Sequence, residues 1–125
     1  MIKMINKAKN SPPIRISEAI LRMADPLIRK YPKRERIEVI IDLAIFSWNV
    51  SLMTEVDREQ IEKNLIDHMP GEFDATDIAS IMEQTDILIE RKKELYPDID
   101  YLIVSHTLSV EDNGKITLDV QALKQ

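Results

Sequence analysis

The chain has 125 residues, of which 44% are hydrophobic and 31% are charged, as is usual for a globular domain and not for a disordered segment. It contains no cysteine, which excludes disulfides, thiolate nucleophiles and cysteine-ligated zinc or iron–sulfur centres. The same absence is typical of the reducing cytoplasm, so we expect a cytoplasmic protein.

The charge is unevenly distributed along the chain. Residues 1–36 hold ten Lys and Arg against three acids, a net charge of +7, and residues 37–125 hold a net charge of −12. Such asymmetry is typical of an arm that meets an anionic partner, or of a basic end that folds back on an acidic body. We favour the second interpretation, in which the acidic body belongs to the same chain or to a second copy.

The first residues, 1–13, are basic and polar and have no apolar core of signal-peptide length, so we expect a flexible lead-in. Residues 14–125 are expected to form a single α-helical domain that ends in a β-hairpin at about 101–124. The longest apolar stretch, 37–53, contains Glu38, Asp42 and Asn49. We therefore expect no membrane-spanning helix and a soluble protein.

The first predicted helix begins at Ser17, whose hydroxyl is expected to cap it, and ends before Tyr31-Pro32. Asp25-Pro26 interrupts it, because proline removes an amide donor and clashes with the preceding turn. We expect either a kink or two short helices. The apolar positions recur at helical spacing: Ile20, Met23, Ala24, Leu27 and Ile28.

A second helix, over about 33–50, is apolar on most of its surface and is predicted to be the central helix of the core. A third is predicted over about 55–68, capped by Thr54 and Asp57 and ended by Met69-Pro70-Gly71. A fourth runs from Asp74, with Asp77 three residues on, to about Leu95. The sequence thus predicts a mainly α, α+β fold: a bundle of four to five helices with a C-terminal two-stranded antiparallel hairpin.

The hairpin follows from a change of period at Tyr101, where apolar and polar residues begin to alternate. A three-residue loop, 112–114, pairs Val110 with Ile116 and keeps one face apolar, whereas a two-residue Asn-Gly turn mixes the faces. The loop requires a left-handed residue at its third position, which Gly114 provides. Because isolated hairpins are marginal in water, we expect this one to dock on the helices or on another chain.

The second helix carries a polar stripe of Glu35, Glu38, Asp42 and Asn49. We expect Asp42 to pair with Arg22, Arg29 or Arg36, Trp48 to anchor the core, and Asn49 to bond the indole or a backbone group. The alternative is that Glu38, Asp42 and one histidine form a metal site or supply the acid and the base of a hydrolase.

The two histidines, His68 and His106, lack the spacing that places two ligands on one helical face, so we predict no metal site and no cofactor. We expect His68 to interact with a helix dipole and His106 to lie at the edge of the core. With two glycines in the chain, a phosphate-binding loop is not expected, and no catalytic residue is predicted.

The basic segment, residues 29–36, is the candidate partner-binding surface, and its charges are Arg29, Lys30, Lys33, Arg34 and Arg36. Nucleic acid is an alternative partner rather than the expected one, because the chain is acidic overall and the segment lacks interleaved aromatic residues. The favoured function is a non-catalytic protein-interaction module, a regulator, adaptor or inhibitor-type protein that forms a homodimer.

Overall fold

The computed structural model describes residues 15–53, 58–68 and 74–125. These residues form four helices followed by a two-stranded antiparallel hairpin, an α+β fold that confirms the predicted class. The helices are α1 (Ile16–Lys30), α2 (Arg34–Ser51), α3 (Arg58–His68) and α4 (Ala75–Leu95), and the strands are β1 (Tyr101–Val110) and β2 (Ile116–Lys124). The predicted lead-in, residues 1–13, lies outside the described residues.

The first helix departs from the prediction at its start. It begins at Ile16, and its N-cap residue Arg15 makes no side-chain capping bond, so the predicted cap at Ser17 is wrong. It also continues through Pro26 as one helix, which excludes the two short helices. Pro26 cannot donate to the Arg22 carbonyl, and Arg91 of α4 donates to it instead, at 3.0 Å.

The second helix is the centre of the core, as its apolar composition predicts. It contacts α1, α4 and β1, and it buries nine residues, among them Trp48 and Ser47, which are fully buried. The Ser47 hydroxyl donates to the Leu43 carbonyl at 2.7 Å, so its burial leaves no polar group unsatisfied. The helix is therefore surrounded by other elements on most of its circumference.

The fourth helix begins at the predicted capping box. The Asp77 N–H donates to the Asp74 carboxylate at 2.8 Å, and the Asp74 N–H donates to the Asp77 carboxylate at 3.3 Å. These reciprocal bonds satisfy two backbone donors at the helix start. The predicted start of the third helix at Thr54 and Asp57, and its end at Met69-Pro70-Gly71, lie outside the described residues.

The hairpin has the predicted register near its tip. Val110 pairs with Ile116, and Gly114 adopts a φ of +88°, the left-handed conformation that the three-residue loop requires. Nearer the base, a β-bulge at Val104 shifts the register by one residue. The bulge reverses which side chains face the core, so Tyr101 and Ile103 are buried and Val104 is 52% exposed.

Candidate functional site

The polar stripe of α2 binds the hairpin. Asn49 Nδ2 donates to the Ile103 carbonyl at 2.9 Å, and Asn49 Oδ1 accepts from the Ile103 N–H at 2.9 Å. The neighbouring Trp48 Nε1 donates to the Tyr101 carbonyl at 2.7 Å. The Tyr101 carbonyl and the N–H and carbonyl of Ile103 point away from β2. The side chains of Trp48 and Asn49 therefore occupy the place of a third strand at the base of the hairpin.

About two helical turns from Asn49, nearer the hairpin tip, Asp42 contacts a histidine. His106 Nε2 lies 3.3 Å from Asp42 Oδ1, and both side chains are partly exposed. The expected partner was an arginine, and that expectation is wrong. Arg29 pairs with Asp25 at 2.8 Å, and the guanidinium of Arg36 lies over a tyrosine ring, so neither is directed to Asp42.

At the tip, Arg34 joins the start of α2 to the hairpin loop. Its guanidinium lies 3.5 Å from the Glu38 carboxylate and 3.1 Å from the Asp112 carboxylate. Hydrogen bonding to Asp112 raises the pKa of Arg34 further above its ordinary value. Contacts at Asn49, Asp42 and Arg34 therefore attach α2 along β1 from its base to the loop.

The basic segment is only partly available to a partner. Arg29 and Arg34 form ion pairs within the chain, and Lys30 and Arg36 lie 5.5 Å and 4.9 Å from the Tyr31 ring centroid. Lys33 precedes α2 and is exposed. Arg34 is thus paired with Glu38 and Asp112 of the acidic part of the chain, whereas Arg29 is paired with Asp25 of the basic end itself.

A cavity of about 200 Å³ lies beside the Asp42–His106 pair, and Asn49 and Phe46 also line it. Glu38 does not line it, since its carboxylate lies against Arg34. Among the described residues, no group of three or more His, Cys, Asp or Glu side chains is arranged to hold a metal ion. The side chain of His68 lies outside the described part of the chain. The structure thus joins two members of the hypothetical Glu38, Asp42 and histidine site.

A buried lysine is the polar feature that the sequence did not reveal. Lys92 is 3% exposed, and its ammonium donates to the carbonyls of Tyr96 at 2.8 Å and Ile99 at 2.7 Å. The ammonium also lies 4.8 Å from the Trp48 ring centroid, a cation–π contact. Burial lowers the pKa of Lys92, and its position in the apolar stripe of α4 was the available signal.

Exposed apolar side chains mark the base of the hairpin. Among the described residues the exposed large hydrophobic side chains are Met53, Ile87, Val104 and Leu123, and two of these four are on the hairpin. Leu123 is 61% exposed and pairs across the strands with the half-buried Leu102. We call Leu102, Val104 and Leu123 the hairpin patch.

A larger groove, of about 500 Å³, lies between the start of α1 and strand β2. Arg15 and Ser17 line it on the helix side, and residues 119–122 line it on the strand side. Tyr101 and residues 105–107 of β1 line it as well, so the groove lies over both strands of the hairpin.

None of the four described helices is long and apolar enough to cross a membrane. Comparisons of the chain with protein-family models, with curated proteins and with solved structures gave no match.

Proposed function

We propose that this chain is a non-catalytic protein-interaction module of the cytoplasm, a regulator, adaptor or inhibitor-type protein that acts as a homodimer through its hairpin. The observation that carries the proposal is the hairpin patch. Val104 and Leu123 expose 52% and 61% of their surface, one on each strand of a two-stranded sheet, and such a sheet by itself is marginally stable in water.

The polar groups of the fold support the same proposal. Every buried side-chain nitrogen and oxygen atom in the described residues has a hydrogen-bond partner within the chain. Asn49, Trp48 and Lys92 each bond backbone groups, so their polar atoms are used in holding the fold together. The hairpin patch, by contrast, is not part of the core that the described residues form, and it is available to a partner.

The test is the association state at low micromolar concentration, measured by sedimentation equilibrium. We expect the wild-type chain to be a dimer and Leu123→Asn to weaken it, because Leu123 is exposed in the monomer and its loss has little effect on folding. Met53→Gln is the matched control, since Met53 is 54% exposed and lies at the end of α2. A wild-type chain that stays monomeric would contradict the proposal.

A second candidate function is favoured by one observation, the Asp42–His106 pair beside its cavity. A carboxylate that orients an imidazole is a common arrangement in metal sites and in acid–base catalysis. Under this hypothesis the chain is a metal-binding protein or a hydrolase. Metal analysis of the purified protein and thermal shift with Zn²⁺, using His106→Ala as the control, test it. No bound metal and no shift would remove its support.

A further inference from the structure

Among the described residues, one edge of the hairpin has no partner strand, and the register identifies it. The Glu111 N–H donates to the Lys115 carbonyl, so the backbone groups of Glu111 and Lys115 point at each other. In an antiparallel ladder this direction alternates, so every second residue of β2 turns its N–H and C=O away from β1. These residues are Ile116, Leu118, Val120 and Ala122.

The two edges of the hairpin differ in what protects them from pairing with another strand. The edge of β1 carries a bulge at Val104 and is bonded by Trp48 and Asn49 of α2. Among the described residues, none outside β1 bonds the backbone of residues 116–122. Natural edge strands are usually protected by proline, bulges or lysine. Strand β2 has no proline and no bulge, and its single lysine stands at its end, at Lys124.

Strand β2 is also complementary to itself. In an antiparallel pair centred on Val120, the valines of the two copies face each other, and Leu118 faces the partner's Ala122. On the other face Asp119 lies opposite the partner's Gln121, so no like charges meet. Centring the pair on Asp119 places two carboxylates opposite each other. Lys124 lies opposite the partly buried Ile116 when the pair is centred on Val120, and opposite the buried Leu118 when it is centred on Gln121.

We propose that β2 pairs antiparallel with β2 of a second copy, centred on Val120, to form a continuous four-stranded sheet across a two-fold axis. This inference rests on the proposed homodimer and specifies its interface. A strand of nine residues spans about 30 Å, and such an isologous pairing closes at two copies and leaves no β2 edge unpaired.

The register makes opposite predictions for two substitutions at one position. Gln121→Asp places a carboxylate opposite the partner's Asp119 on both sides of the two-fold axis, and Gln121→Lys places an ammonium there. Both variants also replace the side chain that accepts the Ser105 hydrogen bond in the monomer. Since each cross-strand charge pair contributes roughly 0.2–1 kcal/mol, two pairs change the dissociation constant about 2- to 30-fold. We expect Gln121→Asp to raise it and Gln121→Lys to lower it.

A proline substitution tests the edge itself. The Ala122 N–H points away from β1, so Ala122→Pro removes no bond of the hairpin but blocks pairing with a second copy. We expect sedimentation equilibrium to show a dissociation constant raised at least tenfold, with the circular dichroism spectrum of the monomer unchanged.

The outcomes separate this inference from the proposed function. A dimer that responds alike to Gln121→Asp and Gln121→Lys, or is unchanged by Ala122→Pro, has its interface elsewhere, which overturns the β2 pairing and leaves the homodimer intact. A monomeric wild-type chain overturns both. If residues 1–14 of the same chain occupy the edge, the chain is monomeric and Ala122→Pro lowers its melting temperature, which also overturns the pairing.

Discussion

Asn49 and Ile103 are joined as two residues of neighbouring strands are, although Asn49 lies in a helix. The carboxamide has an NH2 group that donates and a carbonyl oxygen that accepts, and it satisfies both backbone groups of Ile103 at 2.9 Å. The pair fixes the register of β1 against α2. It also holds the residue next to the bulge at Val104, where the strand reverses its buried face.

Asn49→Ala should therefore destabilise the chain. It removes two hydrogen bonds and leaves the N–H and C=O of Ile103 without a partner in a partly buried site, so we expect a loss of about 2 kcal/mol in the free energy of unfolding. Urea unfolding followed by Trp48 fluorescence measures it, since Trp48 is the single tryptophan. The matched control is Asn64→Ala on the exposed side of α3, and equal stability of the two variants would contradict the role of Asn49.

Arg91 and Pro26 should be energetically coupled. Arg91 donates to the Arg22 carbonyl, the acceptor that Pro26 cannot serve, and also to the Met23 carbonyl at 2.7 Å. We expect Arg91→Ala to be more destabilising in the wild type than in a Pro26→Ala background, where the residue 26 N–H bonds Arg22. A double-mutant cycle in urea measures the coupling, expected to be about 0.5–1.5 kcal/mol. Additive effects would show that Arg91 acts independently of the proline.

Because Lys92 is buried, we expect the free energy of unfolding to change with pH in the alkaline range. Burial lowers the pKa of Lys92 in the folded chain below the ordinary 10.5. Between this lowered pKa and 10.5, the unfolded chain therefore binds more protons than the folded chain. The free energy of unfolding therefore rises with pH through this window. We expect the wild type to gain stability relative to Lys92→Met as the pH is raised from 7 towards 10.5. A difference that stays constant with pH would contradict the prediction.

The Lys124–Asp100 ion pair should stabilise the chain over a different range of pH. Hydrogen bonding between the two, at 2.9 Å, lowers the pKa of Asp100 below 3.8 and raises that of Lys124 above 10.5. The stabilisation is therefore present between about pH 4 and pH 10. It is lost as pH falls through the lowered value of Asp100 or rises through the raised value of Lys124.

Lys124→Met tests this pair by thermal unfolding across the pH range. We expect a small decrease in melting temperature at pH 7, since both side chains are about half exposed, and no difference from the wild type at pH 2. The matched control is Lys115→Met, because Lys115 has no ion pair among the described residues. An equal decrease at pH 2 and pH 7 would show that the effect of Lys124 is not electrostatic.

The periodicity of the chain is sufficient to predict its elements. The boundaries of α2 and α4 lie within one residue of those predicted, and so does the loop closed by Gly114. These features are local: an apolar repeat, a capping box and a residue that tolerates positive φ each act within a few positions of the sequence. The polar stripe of α2 is local too. The sequence predicted a backbone partner as one of two possibilities for Asn49, but it did not predict that His106 would be the partner of Asp42.

Only the tertiary structure decided which residues these polar groups meet. Asp42 lies by His106, 64 residues away, and Arg91 reaches a carbonyl freed by Pro26 in another helix. The bulge at Val104 also accompanies a contact between distant segments. On its N-terminal side Tyr101 and Ile103 are the buried residues of β1, and Ile103 bonds Asn49 of α2. Contacts between distant segments depend on how the elements dock, and docking is set by the packing of whole faces, which no short stretch of sequence encodes.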